Sequence, residues 1–76
     1  MRCYHVTTYK KLQKYITSGH IKAPVRAWTN IQQAERMSKS TSRKIILRLN
    51  IKDFEKLEGH YGEAIVCNKD YILHDM

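Results

Sequence analysis

The most restrictive feature of this chain is an alternation near its middle. Ile45, Leu47, Leu49 and Ile51 occupy every second position, with Ile46, Arg48 and Asn50 between them. A period of two puts the first set on one face of a strand and the second on the other. A strand over 44–51 with one committed apolar face requires both a sheet and a layer to cover it. The rest of the chain must supply both, and with 76 residues it can support only one thin core.

Residues 2–7 read as another strand, in which Cys3, His5 and Thr7 alternate with Tyr4 and Val6. Thr8 can cap a helix over 9–18. There Tyr9, Leu12 and Ile16 share one face, opposite Lys10, Lys11 and Lys14. Gly19 is the expected stop, and Pro24 follows too closely for the helix to continue. Val25–Trp28 reads as a short strand. Thr29 and Gln32 have capping-box spacing, so a second helix is expected from about residue 30, with Ile31, Ala34 and Met37 facing inward. The run Ser38–Ser42 is expected to end it and form a loop. Asp53 is expected to cap a short helical turn through Leu57, with Gly59 ending it. Ala64–Cys67 reads as a strand, Asn68-Lys69-Asp70 as a turn, and Tyr71–Leu73 as a last strand. The expectation is an α+β fold: a single small domain over residues 1–76, with one mixed or antiparallel sheet and two main helices.

The charge is asymmetric. Residues 1–48 hold 11 basic side chains and one acidic one, Glu35, a balance of +10; residues 49–76 hold three basic and six acidic, a balance of −3. Such a basic front points to an anionic partner: nucleic acid, a phosphate-bearing ligand or an acidic protein surface. Lys10, Lys11, Lys14 and Arg43 are the candidate nucleic-acid contacts, because lysines one helical turn apart can track phosphates. Tyr4, Tyr9, Tyr15 and Trp28 are candidates for stacking on bases. No helix-turn-helix, zinc-finger or RNP signature is present, which argues against sequence-specific DNA reading.

Several chemistries find no support. No apolar run approaches the ~20 residues that a membrane span needs. No apolar segment follows the single charge of the first five residues, so a secretory leader is not expected. Cys3 and Cys67 are expected to be reduced, in a cytoplasmic setting. Cys3 and His5 would share a strand face, but the four histidines and two cysteines include no CxxC or HxxxH pair, so no metal is expected. Gly19, Gly59 and Gly62 match neither phosphate-binding glycine motif. The expected oligomeric state is a monomer or a homodimer, with the 44–51 strand as an available edge.

One constellation remains. Tyr4-His5-Val6-Thr7 lies on the first strand. The helix after it carries Leu12 and Tyr15-Ile16 and closes on Gly19 and Ile21. Near the end, Glu63 opens the strand Ala64-Ile65-Val66, followed by the turn and Tyr71-Ile72. This order resembles the ADP-ribosyltransferase domains of the diphtheria-toxin-like class, and is similar also to the DNA-targeting toxin transferases. The resemblance covers most of the chain in order, in a much shortened form. It implies NAD as the substrate cofactor, with His5 on a ribose and Thr7 as the accompanying hydroxyl. Glu63 corresponds to the family glutamate that supports the oxocarbenium-like transition state and could accept the acceptor's proton. It also implies Trp28 as the aromatic for nicotinamide stacking and Arg26 as a partner for the pyrophosphate. Glu63 and His5 are thus the candidate catalytic residues, and His5, Thr7, Arg26 and Trp28 the candidate cofactor-binding set. The family's middle tyrosine motif has no clear counterpart here. Ser40-Thr41-Ser42 looks like the serine motif of the arginine-specific members only superficially. The alternative is a non-catalytic basic module that engages nucleic acid or a nucleoprotein complex, of the phage or mobile-element type. On that reading His5 is a sheet histidine satisfied by backbone, and Glu63 a surface carboxylate.

Overall fold

The computed structural model describes residues 1–57 and 64–73. In chain order the elements are β1 (Arg2–Thr7), α1 (Tyr9–Ser18), β2 (His20–Ile21), β3 (Val25–Trp28), α2 (Ile31–Ser40), β4 (Ile45–Asn50), β5 (Glu55–Leu57), β6 (Ala64–Cys67) and β7 (Tyr71–Ile72). Among the described residues the fold is α+β with two helices, as the patterning predicts. Strands β4-β1-β3-β6-β5 form a sheet in that spatial order, with every pairing antiparallel. The single expected sheet is joined by a second one, because β2 and β7 pair with each other. A two-residue strand is too short to carry a periodic signal, so β2 was not legible in the sequence.

The alternating segment behaves as its pattern requires. Leu47 and Leu49 of β4, with Ile51 beyond it, are buried, while Arg48 and Asn50 are exposed. The ladder sets Cys3 opposite Leu49, His5 opposite Leu47 and Thr7 opposite Ile45, so these side chains share a face. Val25, Ala27, Ile65 and Cys67 continue the same core across the sheet. Leu12 and Tyr15 of α1, together with Ile21 and Tyr71 of the small sheet, close over it. The buried cysteines are free thiols. Burial pushes the Cys3 thiol up to about 11, which keeps it protonated and suits a structural role.

Local chemistry explains the helix ends. The Thr8 side chain accepts from Lys11 N at 3.1 Å. Gly19 ends α1 at φ 81°, and its N–H donates to Tyr15 O at 2.8 Å. The inward face of α1 differs from the expectation. Leu12 faces the core, but Tyr9 and Ile16 are 65% and 68% exposed, and Tyr15 takes the inward place. Tyr15 lies three residues after Leu12 and so projects from the same face. The helix therefore sits rotated from its most apolar stripe, toward a tyrosine whose hydroxyl meets half-buried His5 and buried Thr7.

In α2 the cap is Asn30 rather than Thr29, since the Asn30 side chain accepts from Gln32 N at 2.8 Å. Ala34 is buried and Met37 half-buried, but Ile31 is partly exposed. The helix also runs on through Ser38 and Ser40, which were expected in the loop. It stops where Thr41 Oγ1 donates to Met37 O at 2.8 Å, the backbone-competing bond this residue type favours. Residues 55–57 are a strand rather than a helical turn. Pairing with β6 satisfies the backbone groups on one side of this edge strand, and Asp53 forms a salt bridge with Lys69 at 3.1 Å instead of capping a helix.

Candidate functional site

The site grows from an interruption in the sheet. β1 pairs with β4 along its whole length, but with β3 only at Tyr4↔Trp28. Past that point the two central strands are no longer paired, and the His5 ring spans between them. Its Nδ1 lies 2.6 Å from Arg26 O. A carbonyl only accepts, so Nδ1 carries the proton and Nε2 of the neutral ring is an acceptor. The Tyr15 hydroxyl sits 3.2 Å from Nε2 and donates to it. Thr7 Oγ1 lies 3.4 Å from the same hydroxyl and so donates to Tyr15. The polarity of the chain is thereby fixed: Thr7 to Tyr15 to His5 to the Arg26 carbonyl. It ties α1, β1 and β3 together where the ladder is interrupted.

The neutral state of His5 follows from its surroundings. Burial lowers its pKa below the usual histidine value; the bond to Arg26 O opposes this, and the nearby charges of Lys11 and Arg43 add to the lowering. One ring nitrogen is thus satisfied by backbone, as the plain sheet-histidine reading has it. The other is held by a side chain from a different element, which that reading does not include.

Two concavities meet at this ring. The first, about 200 Å³, is lined by His5, Arg26 and Trp28, with Met37, Leu57 and Ala64 giving it an apolar wall. The second, about 540 Å³, lies between α1 and the start of β3. His5 and Tyr15 line it with Lys11, Lys14, Lys22, Arg26 and Arg43. A small-ligand pocket typically spans about 300–1,000 Å³, so the second is of ligand size and the first of the size of one ring or group.

His5, Arg26 and Trp28 therefore come together, and Thr7 joins them through Tyr15 from its buried position on β1. Glu63 lies outside the described residues. Lys11, Lys14 and Arg43 gather at the second concavity, whereas Lys10 lines a separate shallow depression that it shares with Lys14. Sequence reasoning missed Lys22, which follows buried Ile21 at the end of the unrecognised β2. Tyr15, by residue type a base-stacking candidate, instead orders the site from within through its hydroxyl. The signal for that was present in the spacing from Leu12.

Among the described residues no cluster of three or more His, Cys, Asp or Glu could hold a metal ion, and no helix is long and apolar enough to cross a membrane. Comparison with known proteins finds no matching family model, no matching curated protein and no matching solved structure.

Proposed function

We propose that this chain binds NAD at the split between β1 and β3 and is a shortened ADP-ribosyltransferase-like protein. The observation that carries the reading is that His5 of β1 lines one cavity with Arg26 and Trp28 of β3. Trp28 offers a flat face for a nicotinamide ring, and the Arg26 guanidinium suits a pyrophosphate. In the transfer itself, the bond between ribose C1′ and the nicotinamide nitrogen breaks, and neutral nicotinamide leaves with the electron pair. An acceptor nucleophile bonds to C1′ and gives its proton to a base, the role the resemblance implies for Glu63. A ribose hydroxyl reaching His5 Nε2 takes the place now held by the Tyr15 hydroxyl, so ligand and Tyr15 compete for one acceptor.

Trp28 is the chain's only tryptophan, so its fluorescence reports the cavity directly. NAD should quench it saturably, and labelled NAD should pass ADP-ribose to a nucleic-acid or protein acceptor, with Glu63→Gln abolishing transfer. Unchanged fluorescence with no transfer removes the proposal. Saturable quenching without transfer retains NAD binding and removes the enzyme.

A second reading, the basic module for nucleic acid or an acidic protein surface, is favoured by the cationic lining of the larger concavity. A binding constant that falls steeply with salt is its signature.

A further inference from the structure

We infer that the cleft between α1 and the start of β3 is a binding site for paired phosphate groups, gripped by Lys11, Lys14, Lys22, Arg26 and Arg43. The inference extends past the transferase reading, since it needs neither Trp28, Glu63 nor nicotinamide.

The five cations come from separate parts of the chain. Lys11 and Lys14 lie three residues apart on α1, and Lys11 is one turn before Tyr15. The hydrogen bond from Tyr15 to His5 therefore also fixes which way these lysines face. Lys22 follows β2, Arg26 is the exposed residue between buried Val25 and Ala27 on β3, and Arg43 comes from the segment between α2 and β4. All five line one concavity of about 540 Å³.

No described carboxylate lines the cleft with them. Asp53 pairs with Lys69. Asp70 accepts from Ala23 N at 2.7 Å and lies 3.8 Å from His20. Glu35 and Glu55 lie on α2 and β5, outside the lining. Like charges lining one cleft repel, and a concave wall concentrates their field. A multiply charged anion relieves this repulsion. Arginine forks can each take two phosphate oxygens, while the lysines act as point charges around them. The floor of neutral His5 and the Tyr15 phenol adds no negative charge. The ligand chemistry is thus two or more linked phosphates, supplied either by a dinucleotide or by successive phosphates of a nucleic-acid strand.

The test titrates inorganic pyrophosphate into the isotopically labelled protein at low salt. Shifts should concentrate at Lys11, Lys14, Lys22, Arg26 and Arg43. Lys14→Ala with Lys22→Ala should weaken binding by ~10-fold or more, and Lys52→Ala with Lys56→Ala, equal in charge but outside the cleft, by less than about twofold. Equal losses from the two pairs, or shifts spread over the whole basic surface, overturn the site in favour of attraction by net charge alone. The spectra of the free variants show whether each remains folded. NAD and a short thymidine oligonucleotide form the source arms. Saturation by either at the same residues supports the site, and failure of pyrophosphate and both of them overturns it. Pyrophosphate binding with no Trp28 response to NAD keeps the phosphate site and removes the dinucleotide reading.

Discussion

Replacing Tyr15 with Phe removes one oxygen from the centre of the site and leaves the ring that packs against the core. Two partners lose their bond: His5 Nε2 at 3.2 Å and Thr7 Oγ1 at 3.4 Å. His5 borders the open cleft, so water can replace the phenol there. Thr7 is only 1% exposed, and water cannot reach it without rearrangement. The loss of a net hydrogen bond costs about 1 kcal/mol, and a stranded buried hydroxyl about 1–3 kcal/mol. We expect Tyr15→Phe to cost about 1–3 kcal/mol, with a fall in Tm of roughly 4–8 °C per kcal/mol for a domain of this size. Tyr9→Phe on the same helix is the control, because Tyr9 is exposed, and its effect should stay within about 0.5 kcal/mol. Urea and thermal unfolding followed by circular dichroism measure both. Thr7→Val supplies the other corner of a double-mutant cycle. Removing both hydroxyls together should cost less than the sum of the single losses, by at least about 0.5 kcal/mol. Equal effects of Tyr15→Phe and Tyr9→Phe, or strict additivity with Thr7→Val, would refute the hydrogen-bonded chain as the tie across the split.

Two further outcomes follow from single residues. Gly19 holds a φ of 81° with nothing within 4 Å of an added Cβ. Gly19→Ala should therefore cost only backbone strain, about 1–2 kcal/mol in urea unfolding. His5, with its folded pKa lowered chiefly by burial and further by Lys11 and Arg43, binds its proton less readily when folded than when unfolded. Its contribution is complete above a pH of about 6.5 and is lost as pH falls through the folded pKa. Across that window the wild type should lose stability faster than His5→Gln, by at most about 1.4 kcal/mol per pH unit; parallel curves would contradict it.

Long periodic segments were legible from residue types alone. β4 declared itself through Ile45, Leu47 and Leu49, and α1 through Thr8 and Gly19, because local backbone chemistry and side-chain period act within a few residues. What escaped was decided by partners far away in sequence. Residues 55–57 became a strand because β6 offered an edge, and His20–Ile21 became one because β7 did. The same holds within the site. The basic lysines of α1 were readable as a charged face, but their meeting with Lys22, Arg26 and Arg43 depends on how α1 rotates over the sheet. That rotation follows the Tyr15 hydroxyl rather than the apolar side chains of Tyr9 and Ile16. His5 was singled out from its motif, whereas its two ring partners, a β3 carbonyl and an α1 phenol, exist only in the folded chain.

The central claim is that the gap between β1 and β3 is a ligand site rather than a defect in the sheet. The most direct measurement is a two-dimensional amide NMR titration with NAD at near-neutral pH. Saturable shifts are expected at His5, Arg26, Ala27 and Trp28, with the His5 ring signals moving as Tyr15 gives up Nε2. Shifts absent at millimolar NAD, or confined to residues away from His5 and Trp28, would contradict it.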